Sequence, residues 1–411
     1  MASVRVTSEI GNLETVLVHT PGGELEAVTP GTREDYLYDD LIGLDVAARE
    51  HRRLVGVLKK VSRVHQVADL LAQTLAQAEA RDFLISRTMD VVSSAPLAQQ
   101  LADLAPRALV KLLIEGSQEP GGPISRTVNQ VEFALPPLPN LFFPRDIGLV
   151  LGDHAVVGSM RYGIRWTEEL LIKTLFRFHP DLSNAGLLYD GSEERRSNYT
   201  LEGGDIHIIR PDLIVAGFSE RTSPAALDQL CDEAFARTGL TDVIVVVMPR
   251  EPTAIHLDML FTQLDRELCA VYPPAFIGPE RLTVLHRKKG RKTVKERDNI
   301  FVALSQVGLK LVPVLTGGKR RLSQEREQWS SGCNFLAVRP GVVLSYQRND
   351  ETLRELEAAG FTIVPNQDFL AFDDWDESRG RVAITIPGGE LVRGGGGPRC
   401  MTLPLRRADV W

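Results

Sequence analysis

One pattern occurs four times along the chain, and this repetition limits the possible folds more than any other feature. Each copy has a polar residue, a short apolar strand, a turn and a second apolar strand: RDIGLVLGDHAVVGSM, GDIHIIRPDLIVAGFS, LDMLFTQLDRELCAVYP and CNFLAVRPGVVLSYQR. Their starts lie roughly 50 to 75 residues apart, near the spacing of known repeat architectures. GNLETVLVHTPGGE, near the N-terminus, is a more degenerate fifth copy. Because helical patterns such as WTEELLIKTLFRF and NDETLRELEAAG lie between the copies, the sequence predicts five α/β units in a closed ring.

A second region, residues 45–115, is rich in Ala, Leu, Gln and Glu and differs from the repeats. Its apolar residues recur every three or four positions, which is typical of amphipathic helices. We therefore expect helices in three stretches: DVAAREHRRLVGVLKKV, VADLLAQTLAQAEARDFL and SSAPLAQQLADLAPRALVKLLIEG. In the third stretch, Ser94 followed by Pro96 predicts a capped helix start.

Composition argues against several classes of protein. The 411 residues contain no run of 18 apolar residues and no signal-peptide pattern at the start, so we expect no membrane partner. The four cysteines form no CxxC pair, which argues against a disulfide framework or a cysteine zinc site and favours the reducing cytoplasm. A net charge of −7 disfavours nucleic acid as a partner. We interpret the basic run HRKKGRKTVKER, at 286–297, as a solvated loop and helix start.

Polar residues stand at the starts of the repeats and would share one face of the ring if the units are related by rotation. They are Asp146, Asp205, and the pair His256 and Asp258, with Glu202 nearby in EGGD. Because side chains alternate along a strand, IHLDM is expected to place His256 and Asp258 on one face of a strand. Asp146 and Glu202 could equally be structural turn residues. A metal is a further alternative, with four candidate ligands: Glu202, Asp205, His256 and Asp258.

Cys400 follows a run of four glycines in GGGGPRCMTLP, and it is either a nucleophile or a small apolar residue opening a last strand. Nearby carboxylates would raise the pKa of a thiol, which is unfavourable for a nucleophile. A cationic substrate would remove this difficulty, since a guanidinium pairs with carboxylates through forked N–H donors and its charge stabilises a thiolate. The acidic residues together with Cys400 therefore indicate a pocket for a guanidinium.

Six motifs make the chain resemble the arginine deiminases, which belong to the guanidine-modifying pentein superfamily. They are NLFFPRD, MRYGIRWTEELL, LEGGDIHII, IHLDMLFTQLD, REQWSSGCN and GGGGPRCMTLPLRR. The resemblance implies a five-bladed α/β propeller of pseudo-fivefold ββαβ repeats with an inserted α-helical bundle. Residues 1–69 would form the first propeller unit, 70–130 the helical insertion, and 131–411 the four remaining, catalytic units.

The resemblance also implies an activity and a role for each site residue. Cys400 would be the nucleophile and His256 the general acid and base, while Asp146 and Asp258 grip the guanidinium and Glu202 assists. Three further residues match those that hold the α-carboxylate of free arginine: Asn140, Arg165 and Arg221. The enzyme would hydrolyse L-arginine to L-citrulline and ammonia through an alkylthiouronium on Cys400, without a metal or other cofactor. A homo-oligomer is compatible with the sequence.

Some positions depart from the family pattern, and other activities remain open. Gly395, Pro144 and Arg399 stand where arginine, threonine and histidine are common, and Ser331 and Cys333 replace Asp and Asn. These departures bear on loop gating and on strict specificity for arginine, and none of them removes a catalytic group. The alternatives are an amidinotransferase, an arginine dihydrolase that releases ornithine, and a non-catalytic binding protein of the same fold.

Overall fold

The computed structural model describes residues 4–92, 94–119, 122–128, 132–183, 186–193, 199–372 and 380–411. Within these ranges the chain forms the following strands: β1 (Leu13–Val18), β2 (Arg63–Gln66), β3 (Ser117–Gln118), β4 (Phe133–Leu135), β5 (Gly148–Leu151), β6 (His154–Val157), β7 (Leu187–Asp190), β8 (Ile206–Arg210), β9 (Leu213–Phe218), β10 (Asp242–Val247), β11 (Phe261–Gln263), β12 (Leu268–Val271), β13 (Val284–Lys288), β14 (Lys295–Arg297), β15 (Val312–Leu315), β16 (Leu336–Arg339), β17 (Val342–Tyr346), β18 (Phe361–Pro365), β19 (Arg381–Ile386) and β20 (Leu403–Arg407).

The α-helices alternate with these strands. They are α1 (Leu44–Val61), α2 (Val67–Thr74), α3 (Ala78–Val91), α4 (Ala95–Asp103), α5 (Pro106–Glu115), α6 (Pro123–Thr127), α7 (Pro144–Ile147), α8 (Trp166–Phe178), α9 (Pro224–Arg237), α10 (Pro273–Phe276), α11 (Ile300–Gln306), α12 (Arg321–Trp329), α13 (Asp350–Ala358) and α14 (Asn366–Ala371). The described helices include none with the length and apolar character needed to cross a bilayer.

Five sheets of the described chain share one arrangement, in which a central strand has an antiparallel neighbour on one side and a parallel neighbour on the other. The central strands are β1, β6, β9, β12 and β17. Their antiparallel partners are β20, β5, β8, β11 and β16, and their parallel partners are β2, β7, β10, β15 and β19. The four repeated segments of the sequence thus form the hairpins β5–β6, β8–β9, β11–β12 and β16–β17.

The strands with covered faces are rich in β-branched residues. β9 (LIVAGF) and β10 (DVIVVV) are mostly buried and pair in parallel from Asp242 opposite Leu213 to Val247 opposite Phe218. A parallel pair of this kind is covered by other elements on both faces, so nearly continuous apolar runs replace strict alternation. The α/β class predicted from the sequence is therefore confirmed.

Most helix predictions are also confirmed, with breaks that the patterns did not indicate. The first predicted stretch forms α1, whereas the second divides into α2 and α3, and the third into α4 and α5. Pro106 begins α5, and a proline at the first helical position disfavours helix in the residue before it. Ser94 caps α4 as expected, since its Oγ accepts a hydrogen bond from Leu97 N at 3.4 Å.

The prediction for the basic run 286–297 is wrong in one respect. Its ends belong to the antiparallel strands β13 and β14 rather than to a helix start. His286 is buried and its Nε2 lies 2.7 Å from Asp242 Oδ1, while most of the lysines and arginines between the strands are exposed. A short charged hairpin at a sheet edge protects that edge from further strand pairing.

Short helical turns precede the first strand of several hairpins, and these turns position the site. α7 precedes β5, a 3₁₀ turn at Gly203–Asp205 precedes β8, and another at Leu257–Met259 precedes β11. The first turn contacts the second, and the second contacts the third. A fourth turn, at residues 398–401, precedes β20. The starts of three hairpins and of β20 therefore deliver polar residues close to one another.

Candidate active site

One pocket brings together six of the eight residues that the sequence predicted for a site. Its walls include Asn140, Asp146, Arg165, Arg221, His256 and Cys400. The two remaining residues contact the pocket residues: Glu202 touches His256, and Asp258 touches Cys400. All eight side chains are at least nine-tenths buried, so their charges interact through a medium of low polarity.

His256 lies between two carboxylates. Its Nε2 is 2.8 Å from Glu202 Oε2, and its Nδ1 is 3.7 Å from Asp146 Oδ1. Burial alone would lower the pKa of His256, but Asp146 and Glu202 raise it to about 9. The imidazole is therefore protonated at neutral pH and is able to act as a general acid.

The prediction that His256 and Asp258 lie on one face of a strand is wrong. His256 precedes the 3₁₀ turn Leu257–Met259, which contains Asp258, and the strand itself begins only at Phe261. The turn directs His256 towards Asp146 and Glu202, while Asp258 reaches Cys400. A tight turn rather than strand alternation thus places the two side chains in the site.

Glu202 is fully buried and remains ionised. Burial would raise the pKa of its carboxyl, but Arg221 and His256 lower it to about 2. Arg221 Nη1 lies 3.5 Å from Oε2, and the amide nitrogen of Arg161 donates to Oε1 at 3.0 Å. Glu202 therefore supplies a fixed negative charge that keeps His256 protonated.

Cys400 has an acidic environment. Its Sγ lies 3.5 Å from Asp258 Oδ2 and 3.0 Å from Asn334 Nδ2. Burial, and then the negative charges of Asp258 and Asp146, raise the pKa of the thiol well above its usual range. The protein alone therefore keeps the thiol protonated, and a cation bound beside it would favour the thiolate.

Asp258 is paired with an arginine that precedes the cysteine. Arg399 is completely buried, and its Nη1 donates to Asp258 Oδ2 at 2.8 Å while its Nη2 donates to Glu9 Oε1 at 3.0 Å. These two carboxylates hold the pKa of Arg399 above its usual range, although burial acts in the opposite direction. Arg399 therefore balances two buried acids beneath the thiol.

The three residues expected to hold a substrate carboxylate are all at the pocket, with different partners. Arg165 donates to Asp146 Oδ2 at 2.7 Å and to Glu168 through Nε and Nη2. Arg221 lies over the ring of Tyr162, and its Nε has no hydrogen-bond partner among the described residues. Asn140 donates through its side chain to the carbonyl of Tyr36 at 2.8 Å. Of the three, Arg221 offers a buried donor that is free to bind an anion.

The glycine run brings the chain very close to its neighbours. A Cβ on Gly396 would lie 2.5 Å from the Phe143 ring and 3.0 Å from Cys400 Cβ. Gly395 has a φ of +85°, a conformation that residues with side chains rarely adopt. Glycine is therefore required here so that the loop can pack against the site.

A metal remains chemically conceivable at part of this cluster. Asp146, Glu202 and His256 each offer a ligand atom, all within 4.8 Å of one another. Two of the four ligands that the sequence suggested, Asp205 and Asp258, are not in this group. Asp205 instead accepts hydrogen bonds from Ser219 Oγ at 2.6 Å and Leu257 N at 2.9 Å, and burial raises its pKa to about 6. The carboxylates that remain are paired with Arg165, Arg221 and His256, so the donor set suits a flat organic cation better than a metal.

Sequence reasoning missed Asn334 and Glu168 and noted Arg399 only as a departure from a family pattern. Asn334 is the second residue of the fourth repeated segment, after Cys333. It therefore lies at the same point of its repeat as Asp146 and Asp205. That equivalence was a usable signal for Asn334. Glu168 lies in the first turn of α8, where an acid is ordinary, and the sequence carries no signal for it.

The fold is shared with several solved structures. Unliganded AgrE matches with a TM-score of 0.54 at 16% identity, covering 96% of this chain, and this chain spans 40% of the length of that AgrE chain. SxtG, an amidinotransferase from Microseira wollei in a saxitoxin biosynthetic pathway, matches with a TM-score of 0.54 at 14% identity over 99% of this chain and 98% of that one. A dimethylarginine dimethylaminohydrolase adduct with S-methyl-L-thiocitrulline matches with a TM-score of 0.51 at 13% identity over 95% of this chain and 99% of that one. The chain therefore shares the α/β fold of these structures.

Comparisons of the sequence with known families and proteins identify the family of the chain. The family model described as arginine deiminase matches residues 34–407. An arginine deiminase of Metamycoplasma arthritidis (strain 158L3-1) is 31% identical over 428 residues, covering 99% of this chain and 97% of the relative. One of Treponema denticola is 31% identical over 437 residues and covers both chains completely. The chain belongs to the arginine deiminase family, and the resemblance inferred from the six motifs is confirmed.

Proposed function

We propose that this protein hydrolyses free L-arginine to L-citrulline and ammonia through a covalent intermediate on Cys400. Membership of the family makes the chain an enzyme of the arginine deiminase type. The observation that carries the proposal is the pocket in which Cys400, His256 and Asp146 share the walls, with Glu202 and Asp258 in contact behind them.

Unused hydrogen-bonding capacity supports a guanidinium as the group that enters. Asp146 Oδ1 and Asp258 Oδ1 are both buried, and neither accepts a hydrogen bond from the residues that the structure describes. A planar cation carrying five N–H donors would satisfy both oxygens at once. Arg221, with its buried free Nε, would receive the α-carboxylate, with Asn140 and Arg165 beside it. We therefore assign the guanidinium to Asp146 and Asp258.

The chemistry follows from these charges. The bound cation lowers the pKa of Cys400, the thiol proton leaves to solvent, and the thiolate adds to the guanidinium carbon. Protonated His256 gives its proton to the departing nitrogen, the C–N bond breaks, and ammonia leaves an alkylthiouronium on Sγ. Neutral His256 then takes a proton from water as the hydroxide attacks the same carbon. The C–S bond breaks, the thiolate is released, and the ureido group of citrulline loses the last proton to solvent.

Pre-positioned charge stabilises both tetrahedral intermediates. Asp146 and Asp258 face the guanidinium nitrogens, and Glu202 keeps His256 charged before the first step. Because these groups are held by buried partners, they need little reorganisation during the reaction. Glu202 therefore assists the acid–base cycle without touching the substrate carbon.

The finer architecture is also a proposal. We infer that the five sheets are the blades of a closed five-bladed propeller built from pseudo-fivefold ββαβ repeats. Pairing of β20 with β1 supports closure, because it joins the last strand to the first. We assign residues 1–69 to the first unit, 70–130 to a helical insertion and 131–411 to the other four units; α2 to α5 support this, since they pack with one another and with α8.

Four free cysteines support a cytoplasmic location for the enzyme. We propose L-arginine as the small-molecule partner. The acidic net charge disfavours nucleic acid, and we expect no membrane to bind. Sedimentation of the purified protein would distinguish a monomer from a homo-oligomer.

A product assay tests the reaction. Purified protein is incubated with L-arginine in the presence of a chelator, and citrulline, ammonia and ornithine are quantified. We expect citrulline and ammonia in equal amounts, no ornithine, and no product from Cys400→Ala. Cys231→Ala, which removes a buried thiol on α9, is the matched control and should keep activity. Ornithine as a product would indicate a dihydrolase, and transfer to an added amine would indicate an amidinotransferase.

A further inference from the structure

Asn334 lies against the nucleophile, although no role has been assigned to it above. The side chain is almost completely buried, in the turn that leads into β16. The backbone nitrogen of Asn334 donates to the carbonyl of Ser331 at 3.0 Å, and the hydroxyl of Thr262 donates to the carbonyl of Cys333. The peptide unit that joins Cys333 to Asn334 is therefore held at both its carbonyl and its N–H.

Two backbone donors fix the orientation of the Asn334 amide. Its Oδ1 accepts hydrogen bonds from the backbone nitrogens of Arg399 at 2.9 Å and Cys400 at 3.1 Å. Rotating the amide by half a turn would place its NH₂ group against those same two N–H donors. Nδ2 must therefore face the other way, where it lies 3.0 Å from Cys400 Sγ and 3.4 Å from the carbonyl of Asp258.

The glycine loop makes this contact possible. A Cβ on Gly397 would lie 2.8 Å from Asn334 Cβ and 2.9 Å from its Oδ1. Any side chain at position 397 would therefore push the loop away from the amide. The glycine next to Pro398 and the asparagine of a distant hairpin thus fit together around the nucleophile.

Several charged and titratable groups interact with the thiol. Those that face it are Asp146, Asp258, Arg145, Arg399, His256 and Tyr346. The two aspartates oppose ionisation of the thiol, and Arg399 favours it. Asn334 differs from these groups because it is a neutral donor whose hydrogen bond strengthens when sulfur becomes negative.

The geometry points to Asn334 as a further catalytic residue, which holds the Arg399–Cys400 backbone with Oδ1 and donates through Nδ2 to the Cys400 thiolate. This inference rests on the proposed function of Cys400 as the nucleophile. It assigns the thiolate a donor that leaves the charge of the site unchanged. A positive group at that point would compete with the guanidinium for Asp146 and Asp258.

The test measures ionisation of Cys400 separately from turnover. Wild type, Asn334→Ala and Asn334→Asp are alkylated with iodoacetamide from pH 6 to 10, and modification of the Cys400 peptide is followed by mass spectrometry. Asn334→Asp keeps the acceptor for both backbone nitrogens but loses the donor, and Asn334→Ala adds no charge. Asn366→Asp is the matched control, since Asn366 is a buried asparagine that donates to the Thr385 carbonyl instead.

We expect both variants at position 334 to be alkylated about 10- to 100-fold more slowly at each pH below the thiol pKa, because the thiolate loses a hydrogen bond. The control should match wild type. A wild-type profile in either folded variant would overturn the inference. If alanine prevents folding, Asn334→Leu, which is close to asparagine in size and adds no charge, decides. Citrulline production by the wild type is measured in parallel, so failure of the proposed function is recognised independently of the alkylation result.

Discussion

Around Cys400, single buried side chains balance one another's charge. Asp258 is shared between Cys400 and Arg399, and Asp146 between His256 and Arg165. Removing one member of such a buried pair leaves an uncompensated charge, which typically costs about 3–5 kcal/mol. The substrate guanidinium therefore enters a site whose acids are already oriented by permanent cations.

His256 makes the stability of the protein depend on pH. Its pKa of about 9 in the folded chain exceeds the ordinary value of 6.5, so this contribution is complete below about pH 6.5 and is lost as the pH rises through 9. We expect the difference in Tm between wild type and His256→Gln to shrink steadily between pH 6.5 and 9.5. Thermal unfolding followed by circular dichroism measures it, and a difference that stays constant over this range would contradict the assignment.

At the scale of elements, the loop of residues 394–397 leads to Cys400, and its glycines differ in what they require. Gly396 lies against Phe143 and Cys400, whereas a Cβ on Gly395 would meet no atom within 4 Å. The cost at Gly395 is therefore conformational, from its φ of +85°, while the cost at Gly396 is a clash. Substitutions at the two positions therefore distinguish the effect of backbone strain at Gly395 from the effect of displacing site residues at Gly396.

We predict that Gly396→Ala lowers kcat/KM at least tenfold, because the added methyl forces Phe143 or Cys400 to move. Gly395→Ala should lower stability by about 1 kcal/mol through backbone strain and leave kcat/KM within a few fold of wild type. Steady-state kinetics and urea unfolding of both variants measure these effects. Equal losses of kcat/KM in the two variants would show that loop strain, not the contact at Gly396, controls the site.

The elements also show what the sequence could predict. α1, α8 and α13 follow from apolar periodicity, which is local information. His256 and Asp258 were predicted to lie on one strand, because alternation does not reveal a 3₁₀ turn. The repeat position of Asn334 was visible in the sequence, but its contact with Cys400, 66 residues away in the chain, was not. Local patterns thus predicted the elements, whereas the contacts between hairpins could not be read from any one of them.

Across the whole molecule, the two ends of the chain meet in one sheet. β20 pairs with β1, and Arg407, completely buried, donates to the carbonyls of Gly11 and Ala337. Cys400 lies just before β20, so the strand that joins the ends also anchors the nucleophile. Stability of the fold and geometry of the site are therefore linked through this strand.

We predict that a chain ending at Thr402 does not fold, because β1 loses its antiparallel partner. A chain ending at Ala408 loses only Asp409, Val410 and Trp411 and should fold, with a modest drop in Tm from the lost contacts of Asp409 with Arg5 and Thr7. Circular dichroism and size-exclusion chromatography compare the two. A folded, monodisperse chain ending at Thr402 would contradict the structural role given to β20.

The most direct test of the covalent mechanism is to stop the reaction with acid during turnover of L-arginine and measure the mass of the Cys400 peptide. We expect a transient adduct with the mass of arginine minus ammonia, located on Cys400 and absent from Cys400→Ser. Two results together would contradict nucleophilic catalysis by Cys400. The wild type would form citrulline without any such adduct, and His256→Gln would also fail to accumulate the adduct.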